Sequence, residues 1–214
     1  MLSFPEIFRK HLARVPIVAI LRGIQPDEVI AVGNALFAAG VRIIEIPLNS
    51  PGPFESIESL AKELGDTAIV GAGTVLQPAD VSRVKQAGGQ LIVSPNTNPD
   101  IIAATLSAHM VSVPGYFTPT EAFSAIHAGA HAIKLFPAEA ASPAVVKAQR
   151  AVLPPNIPLL VVGGVQADDV GDWLSAGASG FGLGGAIYRP GQSAQQVYDQ
   201  AKAFIDAIAD RTAS

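Results

Sequence analysis

Short β-branched runs alternate along the chain with longer stretches whose apolar positions recur at helical spacing, the pattern of a parallel sheet covered by helices. Eight such pairs can be counted. The predicted strands are Ile17–Leu21, Arg42–Ile46, Ala68–Gly71, Leu91–Val93, Met110–Val113, Ala132–Leu135, Leu159–Val162 and Gly180–Leu183. Most are continuous apolar runs, as expected of strands buried on both faces. Helix starts are marked by Pro26-Asp27-Glu28, Pro78-Ala79-Asp80 and Thr118-Pro119-Thr120-Glu121, where proline suits the first turn and acids meet the positive end of the helix dipole. Helix ends are marked by Ala39-Gly40, Ala87-Gly88, Ala128-Gly129 and Ala176-Gly177, each with a glycine able to take the left-handed conformation that closes a helix.

Those four glycines lie 48, 41 and 48 residues apart, about two strand–helix units each, which is a weak internal repeat. A final helix over Ser193–Asp210 opens with a Ser193/Gln196 capping box and stacks Val197, Ala201, Phe204, Ile205 and Ile208 on one face. A short extra helix near Pro5–Leu12 precedes the first strand. No linker or low-complexity tract divides residues 1–214, so the expected fold is a single α/β domain, a (β/α)8 TIM barrel with a short extra N-terminal helix. A doubly wound open sheet is the alternative.

Composition narrows the function classes. The 20 glycines and 17 prolines among 214 residues are too few for a low-complexity chain and act as punctuation. Fourteen Lys+Arg against 18 Asp+Glu leave a net charge of −4, so no bulk field attracts nucleic acid or an anionic membrane, and an anionic ligand has to be held locally. There is no cysteine, hence no thiolate nucleophile or zinc–thiolate site, and His11, His109, His127 and His131 lack metal-ligand spacing. No metal is expected. The longest clean apolar run, Val15–Leu21, is too short to span a bilayer, and the charged stretch Met1–Arg14 lacks a signal-peptide core, so a cytoplasmic location is expected.

In a barrel the active site forms at the C-terminal ends of the strands. Arg22, Glu45, Thr74, Pro95, Asn96 and Lys134 fall there, and glycine pairs follow the last two strands. Lys134 stands in the otherwise apolar run Ala132–Phe136, where an unpaired ammonium is costly. One reading is a stem that snorkels its head to solvent; the other is a nucleophile. Desolvation and a nearby cation both lower a lysine pKa, and a fall from about 10.4 to about 7.5 takes roughly 4 kcal/mol. The neutral amine can then attack a carbonyl. Glu45, again one charge inside an apolar strand, is either an ion-pair partner of Arg22 or Lys134 or a general acid/base.

Gly163-Gly164 and Gly184-Gly185 sit where barrels commonly hold phosphate with backbone N–H groups and a helix N-terminus, although turn geometry alone also explains them. Gly180–Gly185 fits G-x-G-x-x-G, but no strand–helix–strand unit follows and no ribose-binding acid stands at the right distance. Gly71-Ala72-Gly73-Thr74 lacks the lysine of a P-loop, which leaves Thr74 as a substrate-facing hydroxyl at a tight turn. No nucleotide or other cofactor is expected. His109, His127 and His131 fall near helix ends or strand starts on the opposite rim and are assigned no catalytic role.

From Val15 to Gly191 the chain resembles the class I 2-keto-3-deoxy-6-phospho-sugar-acid aldolases. The resemblance is carried by Ala19-Ile20-Leu21-Arg22-Gly23, Glu45-Ile46-Pro47-Leu48-Asn49-Ser50-Pro51, Gly71-Ala72-Gly73-Thr74-Val75, Ile133-Lys134-Leu135-Phe136-Pro137 and Val162-Gly163-Gly164-Val165. The second of these, and Val162 where a threonine is typical of the gluconate branch, look like the galactonate branch. The resemblance implies a metal-independent lyase. Lys134 would form a Schiff base with the C2 ketone of 2-dehydro-3-deoxy-6-phosphogalactonate. Glu45 would take the C4 hydroxyl proton through a water and later return a proton to the enamine, giving glyceraldehyde 3-phosphate and pyruvate.

Arg22 and Thr74 would hold the keto-acid carboxylate, with Pro95 and Phe136 as walls and Val162 facing the C4 region. Gly163, Gly164, Gly184 and Gly185 would cradle the phosphate. Gly185 stands where the family often has serine, so that contact passes to backbone N–H or water. The resemblance also implies a homotrimer. The gluconate epimer and 4-hydroxy-2-oxoglutarate are the alternative substrates. A phosphate-binding barrel isomerase or epimerase, and a non-catalytic keto-acid-binding barrel, are the alternative functions.

Overall fold

Glycine and proline set the frame into which the strands fall. In the computed structural model, which describes residues 2–212, helices α1 (Phe4–Arg14), α2 (Val29–Ala39), α3 (Pro53–Leu64), α4 (Pro78–Gln86), α5 (Pro99–Ser107), α6 (Pro119–His127), α7 (Pro143–Arg150), α8 (Val170–Ser175) and α9 (Ala194–Thr212) alternate with strands. Proline opens α3 through α7, because its missing N–H would lack an intrahelical partner there anyway and its φ is already helical. The Thr118/Glu121 and Ser193/Gln196 capping boxes form. All four glycines predicted to close helices take positive φ, between +83° and +117°. His109, at φ +57°, takes the equivalent place after α5.

The strands are β1 (Ile17–Ile20), β2 (Ile43–Pro47), β3 (Ile69–Gly73), β4 (Leu91–Val93), β5 (Val111–Val113), β6 (Gly115–Tyr116), β7 (Ile133–Leu135), β8 (Leu159–Val162) and β9 (Gly180–Leu183). All pair in parallel, in the order β5-β4-β3-β2-β1-β9-β8-β7-β6. The two outermost segments, β5 and β6, are halves of one strand broken at Pro114. β5 pairs with β4 and β6 pairs with β7, so the sheet closes through the chain itself. Proline has no N–H to give the ladder, yet its carbonyl still accepts the Lys134 N–H at 2.9 Å.

Closure rules out the doubly wound open sheet, and the predicted Met110–Val113 strand is present as β5 but continues past Pro114 as β6, which the sequence pattern did not show. A second correction concerns α2. Pro26–Glu28 form a separate turn, and the helix begins only at Val29. Elsewhere the predicted strand ends shift by one or two residues, where local pattern is weakest.

Buried apolar residues form two clusters, one inside the barrel and one between the sheet and the helices. Successive strand residues alternate between them. Val18, Ile43, Ile69, Leu91, Val93, Val111, Val113, Ala132, Leu160 and Val162 face inward, while Ile17, Ala19, Ile44, Ile46, Val70, Ile92, Ile133, Leu135, Val161 and Phe181 face the helices. The extra helix α1 adds Phe8 and Leu12 to the interior cluster. Phe8 is fully buried, worth roughly 2–3 kcal/mol, and plugs the barrel end opposite the one where the predicted site residues lie. α9 packs on α2 and completes the outer ring.

Candidate active site

The inward alternation carries two ionisable side chains. On β2, Glu45 lies two residues beyond inward-facing Ile43, and on β7 Lys134 lies two beyond Ala132. Strand register sets Glu45 beside Ile20 and Gly71, and Lys134 beside Gly115 and Leu160. They are 3% and 7% exposed, so both sit at the inner end of the mouth rather than on its lip. The snorkelling reading of Lys134 does not survive, since only 7% of the residue reaches solvent.

Both groups line a cavity of about 390 Å³ at the C-terminal ends of the strands. Arg22, Thr74, Pro95, Phe136, Val162, Gly163, Gly164, Gly184 and Gly185 line it too, so all eleven residues given a catalytic or binding role border one space, whereas Asn96, also expected at the strand ends, does not line it. Ile20, Glu139, Gln166, Gly182 and Arg189 also line it. Sequence reasoning passed over these. Among them only Arg189 left a usable signal, a lone cation six residues past the end of the last strand.

Glu45 and Lys134 form no ion pair within 4.0 Å among the described residues, and Glu45 Oε2 is buried without a protein hydrogen-bond partner there. They still feel each other's field. Burial pushes the Glu45 carboxyl up to about 7, against the opposing pull of Lys134 and then Arg22. Burial draws the Lys134 amine down to about 8, opposed by Glu45 and assisted by Arg22. Desolvation dominates both shifts. The amine is therefore neutral in about one molecule in ten at pH 7 and in about half at pH 8, beside a carboxyl poised to exchange a proton in the same range. Lys134 Nζ lies 5.0 Å from the centre of the Phe136 ring, within reach of a cation–π contact when charged.

Gly73 makes room for the carboxyl. A Cβ at this position would overlap the Glu45 carboxylate, and the next residue, Thr74, takes the left-handed φ of +54°, uncommon for a β-branched side chain. That strained turn carries the Thr74 hydroxyl to Arg22, whose Nη2 donates to Thr74 Oγ1 at 3.3 Å. The stronger latch on Arg22 is Asn49, where Nη1 donates to Oδ1 at 2.6 Å. Asn49 stood in a quoted motif without a role, because nothing in a strand-end asparagine says that it will meet an arginine 27 residues away.

The glycine pair after β8 has φ +112° and +68°. A Cβ on Gly163 would collide with the Glu139 carboxylate, and one on Gly164 would lie 2.6 Å from Glu139 Cγ. A carboxylate therefore lies against this pair. No α-helix N-terminus adjoins either pair among the described residues: α8 starts at Val170 and α9 at Ala194. After β9 there is instead one helical turn, in which Ile187 and Tyr188 N–H donate to the Gly184 carbonyl, each at 2.9 Å. This corrects the helix terminus expected at the phosphate glycines. On the opposite rim, His131 Nδ1 accepts from Ser112 N–H at 3.0 Å, a structural tie between strands.

Comparisons with known proteins place the chain as a whole. The family model described as KDPG and KHG aldolase matches residues 8–203. A protein of Escherichia coli (strain K12) named 2-dehydro-3-deoxy-6-phosphogalactonate aldolase is 45% identical over 194 residues, covering 91% of this chain and 95% of that protein. A probable 2-dehydro-3-deoxy-6-phosphogalactonate aldolase of Rhizobium meliloti (strain 1021) is 46% identical over 192 residues, covering 90% and 91%. Among solved structures, one titled "Native KDPGal structure" superposes with a TM-score of 0.92 at 44% identity, over 94% of this chain and 98% of that one.

Proposed function

The chain belongs to the KDPG and KHG aldolase family, and from that premise we propose that it cleaves 2-dehydro-3-deoxy-6-phosphogalactonate to pyruvate and D-glyceraldehyde 3-phosphate through a Schiff base on Lys134. The observation that carries the reading is the pair of buried groups in one cavity, an amine drawn down to about 8 and a carboxyl pushed up to about 7.

Neutral Lys134 Nζ adds to the C2 ketone, and protonated Glu45 gives its proton to the carbinolamine hydroxyl, which leaves as water to yield the protonated imine and the Glu45 carboxylate. The Glu45 carboxylate accepts the C4 hydroxyl proton through a water as the C3–C4 bond breaks. The bonding pair moves into the imine, leaving an enamine on Lys134, and C4 departs as the aldehyde of glyceraldehyde 3-phosphate. Protonated Glu45 then returns its proton to C3, and water hydrolyses the new protonated imine to free pyruvate and the neutral amine, the remaining proton going back to Glu45. Arg22, latched by Asn49 and Thr74, faces the keto-acid carboxylate. Pro95 and Phe136 form walls, and Val162 meets the C4 region. Gly163, Gly164, Gly184 and Gly185 approach the phosphate closely because they carry no side chain.

Borohydride added with pyruvate, followed by peptide mass mapping, tests the reading. A reduced adduct on Lys134, lost in Lys134→Ala, is the expected result. No adduct, or an undiminished yield in the variant, refutes it and favours an isomerase or a binding protein. Cleavage of the two C4 epimers by the native protein and by Val162→Thr tests the branch, and a native preference for the gluconate epimer would reverse it. We also infer a homotrimer in the cytoplasm. Exposed Leu76 and Phe117, 51% and 40% accessible, offer apolar surface for subunit contact near the mouth of the barrel, and light scattering at the mass of three chains is the expected measurement. Among the described residues no helix is long and apolar enough to cross a membrane.

A further inference from the structure

The cavity is lined by three cations, Arg22, Lys134 and Arg189, and the chemistry above commits only two. Arg22 is engaged by Asn49 and Thr74, and Lys134 is the buried nucleophile. Arg189 stands at the other end, beside the glycines. Its Nε donates to the Gly185 carbonyl at 3.0 Å, and its backbone N–H is held by Gln192 Oε1 at 2.7 Å. The root and the neck of the side chain are thus fixed. Its two terminal nitrogens have no hydrogen-bond or ion-pair partner among the described residues.

The surroundings make a cation at this point consequential. Gly185 offers no hydroxyl, the protein carries a net charge of −4, and the Glu139 carboxylate lies against the neighbouring pair Gly163-Gly164. A phosphate approaching backbone N–H groups alone would meet that carboxylate without a compensating charge. The guanidinium is planar, permanently charged and able to present two parallel N–H groups to a tetrahedral oxyanion.

We propose that Arg189 is the phosphate-selective residue of this site, supplying through its free fork the contact that a side chain at position 185 does not. The Gly185 carbonyl, by holding Nε, positions the fork rather than competing for it. Selectivity for a phosphorylated over an unphosphorylated substrate then resides in one side chain after β9, while the imine chemistry at Lys134 is unaware of it. This rests on the proposed aldolase reading.

The test compares native protein, Arg189→Gln and Arg189→Lys on 2-dehydro-3-deoxy-6-phosphogalactonate and on the same sugar acid without its phosphate. For Arg189→Gln, kcat/KM on the phosphorylated substrate should fall about 10- to 100-fold, the range of a lost charge-assisted hydrogen bond, mostly through KM. On the unphosphorylated substrate it should change less than about twofold, because the lost contact is absent there. Arg189→Lys, which keeps the charge and loses the fork, should fall between. An unchanged KM for the phosphorylated substrate, or equal losses on both substrates, overturns the assignment while leaving the aldolase reading intact. A native protein that cleaves neither substrate and traps no pyruvate overturns both.

Discussion

Replacing Lys134 with methionine is expected to destroy imine formation and yet stabilise the fold. Lys134 is 7% exposed among inward-facing apolar side chains, and burial is the largest cause of its depressed pKa. Lowering an amine from 10.5 to about 8 corresponds to about 3 kcal/mol of penalty on the charged form. The sign follows from proton counting. Between pH 8 and 10.5 the unfolded chain binds the proton and the folded chain does not, so native stability rises with pH across that window. Below 8 the full penalty is present, and above 10.5 it is gone.

Glu45 must be considered beside it, because it loses a favourable charge when Lys134 goes. Its folded pKa is raised to about 7, so at pH 6 it is mostly protonated in the native protein, and without the ammonium it stays protonated to higher pH. The comparison is therefore cleanest at pH 6. Methionine keeps a similar unbranched stem and removes only the charge, which limits repacking costs. Urea unfolding at pH 6, 8 and 10 should show the variant ahead by about 2–3 kcal/mol at pH 6, with the lead shrinking towards pH 10. A variant less stable than the native protein at pH 6, or a lead that does not change with pH, would refute the reasoning.

Three further substitutions probe the mouth. Gly73→Ala places a Cβ on the Glu45 carboxylate; displacing the base should lower kcat by about 100-fold or more while borohydride still traps pyruvate on Lys134, and equal loss of both would point to general disruption instead. Asn49→Leu removes the 2.6 Å latch on Arg22 and should raise the inhibition constant of pyruvate about 5- to 20-fold, so an unchanged constant would remove Arg22 from carboxylate binding. Glu139→Ala takes a carboxylate away from Gly163 and Gly164 and should lower KM for the phosphorylated substrate by about two- to fivefold, whereas a raised KM would mean that Glu139 assists binding.

Much of this molecule was legible from its chain order. β-branched runs and helical stripes announced strands and helices. Prolines and glycines marked where helices begin and end, because each acts on the backbone within a turn of its own position. Lys134 and Glu45 announced themselves as single charges in apolar strands, where burial makes any charge expensive whatever lies across the barrel. Tertiary structure decided the rest. Closure through a strand split at Pro114, the latch between Arg22 and Asn49, the carboxylate of Glu139 over Gly163, and the approach of Arg189 to Gly185 all depend on where separate segments meet. So do the two pKa values, since desolvation and Coulomb fields sum over every neighbour in space. Local pattern records what a residue prefers; only the closed barrel determines which charges share one cavity and which donor is left free to meet a ligand.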